Sequence, residues 1–204
     1  MVNGRIIVQR TNGVACLTLD RPHSRNRLNA AMSLSLQKAC GELEQDSGVC
    51  VVIITGRGDF FSCGWESPAQ GARPIQAASA LAAMKKPVIA ALNGDVTDQG
   101  LELALAADIR VVAEGARLGI TMVREGLLPW DGGTQRLPRL IGLGGNRREF
   151  ATGPRRGPLV DHLKVGGLAS KSTTEVDDLA VNFLECQIDL RGREPDSRIA
   201  VHAF

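Results

Sequence analysis

One carboxylate stands apart in the 204-residue chain. Glu102 is the only polar side chain between Leu101 and Ala107, a run so apolar that a helix there must be buried. A carboxylate in the first turn of such a helix has two readings. It is a partner for the positive helix end, or a site residue whose pKa is raised by desolvation. Residues 93–100, just before it, are polar and turn-rich, with Asp98 or Thr97 available as N-cap. The first N–H groups of the helix have no internal acceptors and lie at its positive end, a place suited to a developing oxyanion.

Two further segments carry chemistry-bearing residues. Phe60, Phe61, Ser62, Cys63, Gly64, Trp65 and Glu66 follow an apolar strand at its carboxyl end, where α/β sheets bind ligands. Residues 126–142 contain Asp131, a candidate N-cap for a helix over 132–141. Basic residues cluster over 21–27 and 136–156, either as solvated faces or beside a small anion such as a nucleotide phosphate. The five cysteines form no C-x-x-C pair, and His23, His162 and His202 lie far apart, so a metal site has no support. Residues 142–145 (Gly, Leu, Gly, Gly) follow a helical segment and lack the strand-first context of a dinucleotide loop.

The elements that must position these groups alternate. Residues 6–9 and 14–19 are short β-prone runs around Asn12 and Gly13, a hairpin signal. Met32, Leu36, Ala39 and Leu43 recur at helical spacing within residues 28–44, with Asn29 as cap. Residues 49–54 and 87–92 are apolar throughout, as strands covered on both faces are. A short helix is expected over 74–85, a strand over 109–113 and short helices beyond 126. A loop is expected over 153–158 and an amphipathic helix over 176–190. Strand–helix alternation without a break predicts one α/β unit. Apolar residues make up 44% and charged residues 23%, which is ordinary for a globular protein and argues against disorder.

The three segments, in this order and at this spacing, resemble the enoyl-CoA hydratase/isomerase (crotonase) family. The likeness rests on Leu19, Asp20, Arg21 and Pro22 with Leu28 and Asn29, on residues 52–56, and on Phe61, Ser62, Cys63 and Gly64. It continues through residues 85–94, Glu102 to Ala104, Ala107 to Arg110, and 132–137. It covers residues 5–153 and thins beyond them. The resemblance implies a spiral of ββα units, with residues 1–153 as the acyl-CoA-binding core. Residues 154–204 would be a divergent, shortened C-terminal helical region. It implies that the backbone N–H groups of Trp65 and Gln99 hold a thioester oxyanion, and that Ser24, Arg25, Arg27, Ser62, Cys63 and Gly64 contact the CoA. Glu102 falls on one of the two glutamates that the hydratases use, and Met122 falls on the other. A thioether transfers no proton. Glu125, three residues on, is an alternative, and so is Asp131, one step past Trp130, where some relatives carry a carboxylate. Asp98 and Gln99 replace two of three expected glycines.

The function expected on this basis is acyl-CoA chemistry with one carboxylate, as isomerase, hydrolase or hydratase-like enzyme. The alternative is a non-catalytic acyl-CoA-binding or scaffold remnant. Acyl-CoA enters as substrate, and no cofactor is called for. A net charge of +2 and 3% aromatics argue against nucleic acid or an anionic membrane as partner. With no leader and no long apolar run, a cytoplasmic protein is expected. The family assembles as trimers or hexamers, and a short C-terminus is expected to weaken that assembly.

Overall fold

The computed structural model describes residues 4–66, 75–113 and 116–152. Strands β1 (Arg5–Thr11) and β2 (Val14–Asp20) pair antiparallel as the expected hairpin. Helix α1 (Ala30–Gln45) follows, and the Asn29 side chain accepts from Met32 N as its cap. The chain then repeats one theme. β3 (Val51–Gly56), β4 (Phe60–Cys63) and α2 (Ala78–Ala82) form a first unit. β5 (Val88–Leu92), β6 (Asp95–Thr97) and α3 (Gln99–Ala106) form a second. β7 (Ile109–Val112) and β8 (Leu118–Gly119) begin a third, and α4 (Gly133–Thr152) closes the described chain with a break at Gly142.

The first strand of each unit joins one sheet, in the order β1-β2-β3-β5-β7, and the second strand joins another, in the order β4-β6-β8. All pairings except β1 with β2 are parallel. This is the expected spiral of ββα units.

β3 and β5 are buried along their whole length, because each face meets a different apolar layer. Val52, Ile54, Val88, Ala90 and Leu92 face the main core with α1 and α3. Val51, Ile53, Ile89 and Ala91 pack on the opposite face with Val14, Ile109 and Val111. The period of two along a strand produces this division.

Three expectations need correction, and one strand was not foreseen. The helix expected over 74–85 is one short turn pair, α2, and Pro74 lies outside the described residues. The turn-rich stretch before α3 contains β6, because its backbone finds β4 and β8 on either side. The two-residue β8 escapes periodicity altogether. Asp98 precedes α3 but its side chain does not cap it. The loop expected over 153–158, the helix over 176–190 and the segment 154–204 fall outside the described residues.

Candidate active site

α3 approaches β4 so closely that only glycine fits between them. A Cβ on Gly100 would stand 2.0 Å from the Ser62 carbonyl oxygen. This contact brings the start of α3 beside the end of β4, and so Gln99 beside Gly64 and Trp65. Both Trp65 and Gln99 border one cavity of about 410 Å³. Among the described residues neither backbone N–H meets a backbone acceptor in a turn or loop. The Trp65 neighbours are instead fixed by Leu28, whose N–H donates to Gly64 O at 2.9 Å and whose carbonyl accepts from Glu66 N at 2.7 Å.

The replaced glycines are accommodated. Asp98 keeps a backbone that glycine would adopt freely, with φ 53° and ψ −118°. Its carboxylate accepts from Thr121 N at 2.5 Å, Met122 N at 2.9 Å and the Thr121 hydroxyl. These three bonds hold the left-handed residue in place and tie the start of α3 to the turn at Met122–Glu125. The Gln99 side chain is buried, with 4% of its surface exposed.

Glu102, one turn into α3, is fully buried. Its Oε1 accepts from Asp131 N and Gly133 N, both at 2.8 Å, while Oε2 has no partner among the described residues. Gly133 is needed here, since a Cβ on it would lie 2.9 Å from Oε1. Burial pushes the Glu102 carboxyl up from 4.5 to about 7, against the lowering effect of the Gly133 and Asp131 N–H groups, with the nearby Asp131 charge adding to the rise. Burial outweighs these bonds. Glu102 is not among the described residues that line the cavity, whereas Trp130, whose backbone interacts with its carboxyl, is.

Asp131 is placed differently from either sequence reading. Its carboxylate accepts from Ala78 N at 2.6 Å, Ser79 N at 3.0 Å and the Ser79 hydroxyl at 2.7 Å. It therefore caps α2, far off in sequence, rather than the helix that follows it. It does not border the cavity.

Met122 is buried and lines the cavity, and Glu125 lines it from an exposed position. Cys63 and Gly64 line it as well, and burial, with the Asp95 charge, raises the Cys63 thiol to about 11. Ser62 is a correction: it is fully buried, its hydroxyl donates to Asn26 O at 2.9 Å, and it borders neither cavity. Ser24, Arg25 and Arg27 line a second recess of about 300 Å³ with Arg21, His23 and Glu66, and Arg27 borders both cavities. Sequence reasoning missed Asn26, which shapes this basic loop. It is fully buried at φ 52°, its Oδ1 accepts from Arg21 N, and its Nδ2 donates to Arg57 O and Phe60 O. An Asn amid basic residues is a signal for a left-handed turn. Among the described residues no cluster of His, Cys, Asp or Glu could hold a metal ion, and no helix is long and apolar enough to cross a membrane.

A spiral of ββα units whose alternate strands join two sheets, with the start of α3 beside the end of β4, defines the fold class. A family profile for enoyl-CoA hydratase/isomerase matches residues 9–187. The chain belongs to the enoyl-CoA hydratase/isomerase (crotonase) family. It is 37% identical over 146 residues to a 2,3-dehydroadipyl-CoA hydratase of Escherichia coli, covering 67% of this chain and 57% of that protein. It is 36% identical over 151 residues to a short-chain-enoyl-CoA hydratase of Clostridium acetobutylicum, covering 68% and 58%. A solved enoyl-CoA hydratase from Mycobacterium avium superposes with a TM-score of 0.72 at 34% identity, covering 90% of this chain and 80% of that one. The chain thus spans under two thirds of the length of these curated relatives.

Proposed function

We propose that the chain is an acyl-CoA enzyme core that stabilises a thioester enolate or oxyanion with the Trp65 and Gln99 backbone N–H groups. The observation that carries this reading is the juxtaposition of those two residues on one cavity, enforced by Gly100 packed on Ser62. Preorganised N–H donors aimed at developing charge are among the largest contributions to catalysis of this kind. The basic recess of Arg25 and Arg27, with Ser24, suits the phosphates of CoA.

Glu102 supplies proton transfer. With its carboxyl near 7, it exists as both acid and base around neutral pH, and its buried Oε2 must turn toward the cavity to meet a substrate. It would take a proton from the carbon next to the thioester carbonyl, leaving the electron pair as an enolate held by the two N–H groups. Returning the same proton two carbons further along a conjugated chain completes an isomerisation. Hydration needs a second proton-transfer group: Met122 is not one, and Glu125 is the carboxylate that borders the cavity from an exposed position. Isomerisation and thioester hydrolysis need only the single base.

A second reading, binding without turnover, draws support from the closed position of Glu102 and the commitment of Asp131 to α2. Turnover of a panel of enoyl- and oxoacyl-CoA thioesters by wild type and Glu102→Gln separates the two. Product formed by wild type and lost in the variant supports the enzyme. Binding with no product from any thioester supports the second reading.

A further inference from the structure

Asp98 holds a backbone conformation that its residue type does not favour. At φ 53° and ψ −118° it has the geometry of the first central position of a type II′ turn, where glycine is the usual residue. Arg25, at φ 52°, has ψ 37°, in the left-handed basin where a non-glycine residue of that φ ordinarily rests. The two conformations differ chiefly in ψ, by about 155°. Because ψ of Asp98 turns the peptide that joins it to Gln99, this difference is a flip of that peptide. The Gln99 N–H would then point nearly the opposite way, and the Asp98 carbonyl would take its place.

Contacts on several sides keep Asp98 out of that basin. Its N–H donates to Gly119 O of β8, and its carbonyl accepts from Glu102 N of α3, both at 3.0 Å. Its carboxylate accepts from Thr121 N at 2.5 Å, Met122 N at 2.9 Å and the Thr121 hydroxyl. Oδ2 also stands 3.4 Å from where Gly64 would carry a Cβ, beside the residue that precedes Trp65. A strained backbone persists only where its surroundings over-determine it. The two backbone bonds are open to most residue types. The carboxylate contacts are what aspartate adds.

We propose that Asp98 is a positioning residue: its carboxylate, held by Thr121 and Met122, fixes ψ near −118° and so keeps the Gln99 N–H aimed at the thioester oxygen. The proposal rests on the acyl-CoA reading above and names the group on which the second oxyanion donor depends. A carboxylate that only ties the turn to α3 would be missed equally in every variant that lacks it. One that holds ψ is missed in Asp98→Ala, whose backbone bears the same strain. It is not missed in Asp98→Gly, whose backbone adopts this conformation freely.

Infrared difference spectra of hexanoyl-CoA, with and without a carbon-13 carbonyl and with the whole chain in excess, test it. In wild type the bound carbonyl band should lie at lower frequency than the free one, because N–H donors polarise the bond. In Asp98→Ala that displacement should shrink by roughly half, one of two donors being lost, and in Asp98→Gly it should stay as in wild type. Each variant is first checked for a native melting transition. If Asp98→Ala does not fold, Thr121→Val takes its place. That variant removes only the hydroxyl contact with the carboxylate, and it should likewise reduce the displacement. Equal losses in Asp98→Ala and Asp98→Gly overturn the proposal, as does an unchanged displacement in Asp98→Ala or in the variant that replaces it. In those outcomes the wild-type band still moves, and the acyl-CoA reading stands. A wild-type band that does not move, or a thioester that does not bind, overturns both.

Discussion

At Glu102, burial and hydrogen bonding oppose each other, and the balance has consequences for both stability and rate. The folded carboxyl titrates near 7 and an unfolded one near 4.5. Between these pH values the unfolded state has released its proton while the folded state retains it, so stability falls as pH rises and levels off above about 7. The effect has an upper bound of about 3.5 kcal/mol, from ~1.4 kcal/mol per pKa unit. Glu102→Gln should flatten this slope in urea-unfolding series from pH 4 to 8; a variant as pH-dependent as wild type would show that the carboxyl is not desolvated. Glu102→Gln should also lower kcat by ~10²-fold or more while leaving thioester affinity nearly unchanged, because the backbone donors remain. Equal turnover by variant and wild type removes Glu102 from the chemistry. The sequence showed this residue as an isolated charge in an apolar helix, which is why it could be singled out. It could not show that Asp131 N and Gly133 N hold one of its oxygens, because those donors come from a loop about 30 residues away.

Elements decide how these residues meet. α2 is only five residues long and draws its N-terminal anchor from Asp131, across 52 to 53 residues of sequence. Asp131→Ala removes an acceptor from Ala78 N, Ser79 N and the Ser79 hydroxyl at once. It should cost about 1–2 kcal/mol, as loss of a helix cap does, and speed hydrogen exchange at Ala78 and Ser79. Unchanged exchange there would mean that α2 stands without this tether. Gly100→Ala is expected to be harsher, since the added carbon would meet a backbone oxygen rather than a flexible side chain. A loss above about 2 kcal/mol in denaturant unfolding is expected from overpacking that only backbone movement can relieve. A neutral outcome would show that α3 and β4 are free to separate.

For the molecule as a whole, the spiral places the carboxyl ends of β4, β6 and β8 near one cavity, through Cys63, Asp98 and Thr121, and ligand should bind the folded form alone. Acyl-CoA at 100 times its Kd adds about 2.7 kcal/mol to stability, so the melting temperature should rise with ligand concentration. A flat response up to millimolar thioester across several chain lengths would count against the ligand class. The same experiment with free CoA separates the contribution of the basic recess of Arg25 and Arg27 from that of the acyl pocket.

The sequence by itself determined the hairpin, the cap at Asn29, the doubly covered strands β3 and β5, and the buried helix carrying Glu102. Each of these is written in local periodicity, turn chemistry or unbroken apolar runs, which act over a few residues. The ordered series of short motifs carried the family. Tertiary structure alone decided the assignment of alternate strands to two sheets, since β6 and β8 are too short to show a period and exist through their neighbours. It alone decided that Asp98 braces a strained backbone instead of capping α3, that Asp131 anchors α2, and that Ser62 turns to Asn26. A polar side chain goes to whichever unpaired donor or acceptor the packed fold leaves within reach. That partner has no fixed distance along the chain.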